Sequence, residues 1–97
     1  MEVKVRFFTN LREIANKREE ILAFPTERKV TVELVLKMLV EKYGQSFKAY
    51  VYDAETGQPR GFLQFLVNGN SVTTLNGLQT ELKDGDVLAI LPPVGGG

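Results

Sequence analysis

From Glu2 to Phe7 polar and apolar residues alternate: Glu2, Val3, Lys4, Val5, Arg6, Phe7. Period-two alternation predicts a strand with one buried face, carrying Val3, Val5 and Phe7. Phe8 breaks the alternation and is expected to face outward or sit at the strand end. Asn10-Leu11-Arg12-Glu13 fits a helix start, with Asn10 as cap and Glu13 reaching back, over a short helix from Leu11 to Asn16. Glu20 to Phe24 predicts a second strand, ended by Pro25. It pairs antiparallel with the first across a connection too long for a tight hairpin. Thr31 caps the main helix, in which Val32, Val35, Leu36, Leu39 and Tyr43 fall on one apolar stripe. Leu34 and Met38 lie off that stripe, as surface residues or as part of a wider buried face. Gly44 stands where a helix commonly closes through a positive-φ residue.

The stretch from Gln45 to Gly61 has no clear period, with Phe47, Tyr50, Val51 and Tyr52 as partly buried candidates and Asp53 to Pro59 as a turn. Phe62 to Val67 predicts a strand. Asn68-Gly69 predicts a tight hairpin, because both residues tolerate positive φ, and Ser71 to Thr73 the return strand. Asn76-Gly77 breaks the chain, Leu78 and Leu82 bracket a short turn or helical segment, and Lys83-Asp84-Gly85-Asp86 is a further turn. Val87 to Leu91 predicts the last strand, stopped by Pro92-Pro93. The element order is strand, strand, helix, strand, strand, strand. One main helix must then cover the apolar face of a mixed sheet, an α+β, β-grasp-like arrangement in a single domain over 1–94 with a flexible glycine tail at 95–97.

Composition narrows the chemistry. The 97 residues hold 12 Lys plus Arg and 12 Asp plus Glu, for a formal net charge of zero. No basic field marks a nucleic-acid partner. With no Cys and no His, a disulfide, a Cys/His zinc site, a Cys nucleophile and a His base are all excluded. No apolar run approaches the ~20 residues of a membrane span, and the opening Met1-Glu2-Val3-Lys4-Val5 lacks the pattern of a secretory leader. The expectation is a cytoplasmic protein without a nucleic-acid or membrane partner. Lys17-Arg18 followed by Glu19-Glu20 reads as a solvated mixed-charge stretch. The carboxylates of Asp84 and Asp86 read as turn residues rather than metal ligands, so no metal site is expected.

The most unusual feature is the end, Val94-Gly95-Gly96-Gly97 after Pro92-Pro93. Without Cβ atoms, three glycines can enter a channel too narrow for any side chain. Extended, Val94 to Gly97 spans roughly 13–14 Å. Composition alone favours a frayed terminus.

A resemblance shifts that balance. Val67-Asn68-Gly69, Leu82-Lys83-Asp84-Gly85-Asp86, Pro92-Pro93-Val94 and Gly96-Gly97 occur in the order and spacing of the small subunit of molybdopterin synthase and its sulfur-carrier relatives. The opening Val3 to Glu13 and Thr31-Val32-Glu33-Leu34 also resemble that family. Two departures stand out: Gly95, where the family usually has Ser or Thr, and the extended Tyr52 to Phe62 region. The latter resembles archaeal-type small modifiers and their eukaryotic modifier-carrier relative.

The resemblance implies a ubiquitin-like β-grasp fold. It also implies that a partner activating enzyme uses ATP to adenylate the Gly97 carboxylate, and that sulfur then replaces AMP to leave a thiocarboxylate. Gly95 and Gly96 keep the arm thin, and the large subunit of molybdopterin synthase receives the sulfur. The catalytic side chains then belong to the partners, and this chain is a carrier that binds no cofactor itself. The modifier relatives imply an alternative, attachment of Gly97 to target-protein lysines. Lys42 and Lys48 are possible attachment sites, but nothing marks them out. A plain β-grasp interaction module is the third reading. Alternation in the last strand points Leu88 and Ile90 inward and Val87, Ala89 and Leu91 outward. The candidate partner-binding residues are Leu91, Phe8 and Val72, with Pro92, Pro93 and Val94 leading to the tail.

Overall fold

The computed structural model describes residues 1–92. In chain order the elements are β1 (Glu2–Phe7), α1 (Asn10–Ala15), β2 (Glu19–Ala23), β3 (Val30–Thr31), α2 (Val32–Tyr43), α3 (Gln45–Val51), β4 (Gln64–Val67), β5 (Asn70–Ser71), β6 (Glu81–Leu82) and β7 (Val87–Leu91). Two 3₁₀ turns, Val72–Thr74 and Gly77–Gln79, lie between β5 and β6.

The main sheet has the order β2-β1-β7-β4-β5. β1 and β2 pair antiparallel, as the alternation predicts, with Val3 opposite Leu22 and Val5 opposite Glu20. β7 lies in the middle, parallel to β1 and antiparallel to β4. A parallel pair needs a long crossover, and everything from α1 to β6 supplies it. The inward residues Val3, Val5, Phe7, Leu88 and Ile90 are at most 1% exposed, and Val32, Val35, Leu36 and Leu39 of α2 cover them. This is the ubiquitin-like β-grasp arrangement, α+β with a mixed sheet on one main helix.

Thr31 caps α2 as expected, its Oγ1 accepting from the Leu34 amide at 3.2 Å. Leu34 and Met38 belong to a wider buried face, packed against the edge of the core. At the far end Gly44 has φ +77°, a backbone region closed to most side chains. Its N–H donates to the Val40 carbonyl, and its own carbonyl accepts from Lys48. One glycine thus ends α2 and starts α3. The sequence pattern missed α3, which buries only Phe47 and Val51, an i,i+4 pair too short to establish a period.

Three other expectations are corrected. Asn10 lies inside α1; Thr9 is the cap residue, at φ +46° and with no side-chain cap bond. The helix is fixed instead by burial of Leu11 and Ala15. The return strand after the hairpin is only Asn70–Ser71, because the Ser71 and Thr74 hydroxyls take up local backbone groups and wind Val72–Thr74 into a turn. Glu20 is not solvated: it is 8% exposed, on the inner face of β2. Burial by itself would raise its pKa, but hydrogen bonds from Tyr43, Lys17 and Lys42 outweigh that and hold it at about 2. The Tyr43 hydroxyl donates to the same carboxylate oxygen that both lysines reach at 3.0 Å. The Tyr43 hydroxyl is itself pushed upward, by burial first and then by Glu20. Its ring stands edge-on to Phe7 at 5.8 Å. The cluster therefore ties the edge strand β2 to the last turn of α2.

Candidate functional site

The candidate site is the root of the C-terminal arm, and the sheet determines where that root lies. The start of β7 is fixed by the Lys83–Asp86 turn. Asp84 Oδ1 accepts from the Glu2 amide at 2.7 Å, and the Gly85 amide donates to the Glu2 carbonyl at 2.8 Å. Asp86 Oδ1 accepts from Asn68 Nδ2 at 2.9 Å, and its Oδ2 from the Lys83 amide at 2.7 Å. Asn68 Oδ1 in turn accepts from the Val87 amide at 2.9 Å. Asn68 and Gly69 have φ +50° and +85°, as a two-residue hairpin turn requires. The Asn-Gly and Asp-Gly-Asp motifs thus form one network that joins the start of β1, the β4–β5 hairpin and the start of β7. Its carboxylates serve these turns, and no group of three His, Cys, Asp or Glu able to hold a metal exists among the described residues.

The end of β7 is held from both sides. Ile90 lies opposite Phe7 on β1 and Phe65 on β4, and Leu91 lies opposite Gln64. The chain therefore leaves the sheet from its central strand at a fixed point. Leu91 and Pro92 are half-buried there, as is Phe8, the residue that follows Phe7 on the neighbouring strand. Val87, Ala89 and Leu91 lie on the outer face, as their alternation predicts. Leu66, opposite Ala89 on β4, joins them. Leu66 went unrecognised, although alternation with the buried Phe65 and Val67 places it on this face. Along the edge of the sheet Ile21 is 52% exposed.

Val72 does not belong to this surface. It is 5% exposed and part of the core, because the turn that starts at Val72 directs it inward. It is withdrawn as a partner contact. Pro93, Val94, Gly95, Gly96 and Gly97 lie outside the described residues.

Two concavities flank the sheet and helices. One, about 700 Å³, lies between α2, α3 and the Tyr52–Arg60 segment. Its Arg60 guanidinium is occupied by the Ala49 carbonyl, at 3.1 and 3.3 Å, and its Lys37 by Glu33 at 3.8 Å. Tyr52 at its wall is pushed upward, by burial first and then by Glu33. The second, about 520 Å³, lies beside Phe7 and Phe8 and holds Arg6, Arg12 and Arg18. No helix among the described residues is long and apolar enough to cross a membrane.

Comparison with known proteins agrees with this geometry. The model of the ThiS family matches residues 5–97. Small archaeal modifier protein 3 of Haloferax volcanii is 32% identical over 97 residues, covering 100% of both chains. The molybdopterin synthase sulfur carrier subunit of Drosophila yakuba is 29% identical over 99 residues, covering 100% of this chain and 92% of its own. Among solved structures, small archaeal modifier protein 1 from Methanosarcina acetivorans superposes with a TM-score of 0.82 at 40% identity, over 99% of this chain and 96% of its own. The family match spans nearly the whole chain, including the glycine end, and the neighbours share its β-grasp topology: the chain belongs to the ThiS family of ubiquitin-like sulfur carriers and modifiers.

Proposed function

We propose that the chain is a sulfur carrier whose Gly97 carboxylate is adenylated and then converted to a thiocarboxylate, which donates sulfur as the small subunit of a molybdopterin synthase. The observation that carries this reading is the placement of the arm's root. A strand held on both sides and fixed at its start by Asp84, Asp86 and Asn68 brings the chain to Pro92 from the middle of the sheet, and the glycines follow it in the sequence. A carrier needs this combination of a rigid body and a thin end.

The chemistry follows from the electrophilicity of the terminus. A carboxylate resists nucleophiles because its negative charge is delocalised over both oxygens. When a Gly97 oxygen attacks the α-phosphorus of ATP, pyrophosphate leaves, and the acyl-adenylate carries a good leaving group. Sulfur from a donor then takes the place of AMP. The activating enzyme binds ATP, and its side chains with those of the large synthase subunit carry out catalysis. This chain contributes the thin Gly95–Gly96 approach and the outer-face anchors Leu91, Phe8 and Pro92, followed by Pro93 and Val94.

A second reading, ligation of Gly97 to lysines of target proteins, draws support from the two modifier proteins that resemble this chain along its length. Both readings start from the same adenylate. They are separated by offering the thiocarboxylated chain to the large synthase subunit with the pterin precursor, and by searching cellular lysines for Gly-Gly remnants after proteolysis. Sulfur transfer supports the first reading, remnants support the second, and neither result would overturn both.

Leu91→Asp tests the outer face. A central apolar anchor is worth about 2–3 kcal/mol in an interface, so binding of the large subunit should weaken about a hundredfold. The melting temperature should stay within a few degrees, since Leu91 does not point into the core. Unchanged affinity would remove Leu91 from the interface.

A further inference from the structure

We infer that Arg6, Arg12 and Arg18 form a docking cleft for a carboxylate-rich segment of the protein that activates the arm, an inference that rests on the proposed function. In a chain of zero net charge, the cleft beside Phe8 gathers Arg6, Arg12, Lys17 and Arg18 against the single carboxylate of Glu19. Two of these charges are already partnered. Lys17 is bound by Glu20 at 3.0 Å, and Glu19, although opposite Arg6 across the strands, turns to Lys4 at 3.7 Å. Among the described residues no carboxylate lies within ion-pair distance of the three guanidinium groups. Like charges so gathered repel one another, so the cluster favours an incoming anion.

Arg12 is set in place in advance. Its Nε donates to the Phe7 carbonyl at 3.0 Å, and its guanidinium lies over the Phe8 ring, 5.4 Å from the centroid. Its terminal amines are held ready without the entropy cost of fixing a free side chain. The fork of an arginine matches the two oxygens of a carboxylate. The location selects the occupant. Phe7 lies opposite Ile90, so the next residues along the two parallel strands are Phe8, in the cleft wall, and Leu91, at the arm's root. A protein that draws in the arm is thereby brought beside this cleft. A nucleic acid would need an extended basic stripe. All three arginines are exposed, whereas a dedicated small-anion site would need buried donors.

Charge at such a rim acts mainly on the rate of encounter and makes it salt-dependent. The test compares wild type with R6Q/R18Q, which leaves Arg12 on Phe8, in ATP–pyrophosphate exchange with the activating enzyme of the same cell at low and high ionic strength. The expected result is a KM for the chain raised about tenfold at low salt, kcat unchanged and a flattened salt dependence, with R6K/R18K restoring most of the loss. Equal KM and equal salt dependence in the three proteins would overturn the cleft while leaving the proposed function intact. No exchange with wild type would overturn the proposed function and this inference with it. Saturable binding of millimolar inorganic phosphate to wild type without the activating enzyme, at constant ionic strength and lost in R6Q/R18Q, would overturn the acidic segment in favour of a small-anion site.

Discussion

Deleting Gly96 and Gly97 is expected to abolish ATP-dependent activation while leaving the fold unchanged. On the proposed function the acyl-adenylate forms on the terminal carboxylate, so the deletion moves the reacting carbon back by two residues, roughly 7 Å at full extension. A misplacement of about 1 Å can already cost a hundredfold in rate, and a shift of this size should bring activation to background. Among the described residues the sheet is already held together: β7 is paired over Val87 to Leu91, and its start is held by Asp84, Asp86 and Asn68. The thermal midpoint of the truncated chain should therefore match that of wild type. Pyrophosphate exchange and a melting curve on the same two samples check both halves. Retained exchange would show that the reacting group is not at Gly97.

The second large effect concerns stability and pH. Glu20 has a folded pKa of about 2 against an ordinary value of 4.5. Between those values the unfolded chain takes up a proton that the folded chain refuses, so stability rises with pH. The contribution is complete above about pH 5 and is lost as pH falls through about 2. At about 1.4 kcal/mol per unit of separation it amounts to about 3 kcal/mol. Lys17 and Lys42 are half-exposed, so water and salt weaken their share, and the part-buried Tyr43 bond carries more of the effect. Glu20→Gln keeps the volume and an acceptor for Tyr43 but cannot titrate. Denaturant unfolding between pH 2 and pH 7 should show the wild-type slope reduced in the variant, with the two proteins converging at the acid end. Parallel curves would show that Glu20 does not clamp β2 to α2.

Where the sequence was legible, one local rule acted without competition. Alternation over Val3, Val5 and Phe7 located β1, Thr31 and Gly44 bounded α2, and Asn68-Gly69 specified its turn. The root of the arm was legible for the same reason, since β7 alternates and Pro92 stops it. What escaped depends on tertiary partners. Glu20 reads as a solvated charge until α2 brings Tyr43 and Lys42 to it. Val72 reads as strand until local hydroxyl bonds wind its segment into a turn and bury it. The arginine cleft draws on positions 6, 12 and 18, which meet only because β2 folds back on β1 across α1. The β3–β6 pair consists of two residues on each side, fewer than any period can reveal.

The most direct test is the intact mass of the chain after incubation with its activating enzyme, ATP and a sulfur donor. The account predicts exchange of one oxygen for sulfur, located at Gly97 by fragmentation. An unchanged mass, with an enzyme shown to activate another carrier in the same assay, would contradict it and leave a β-grasp interaction module.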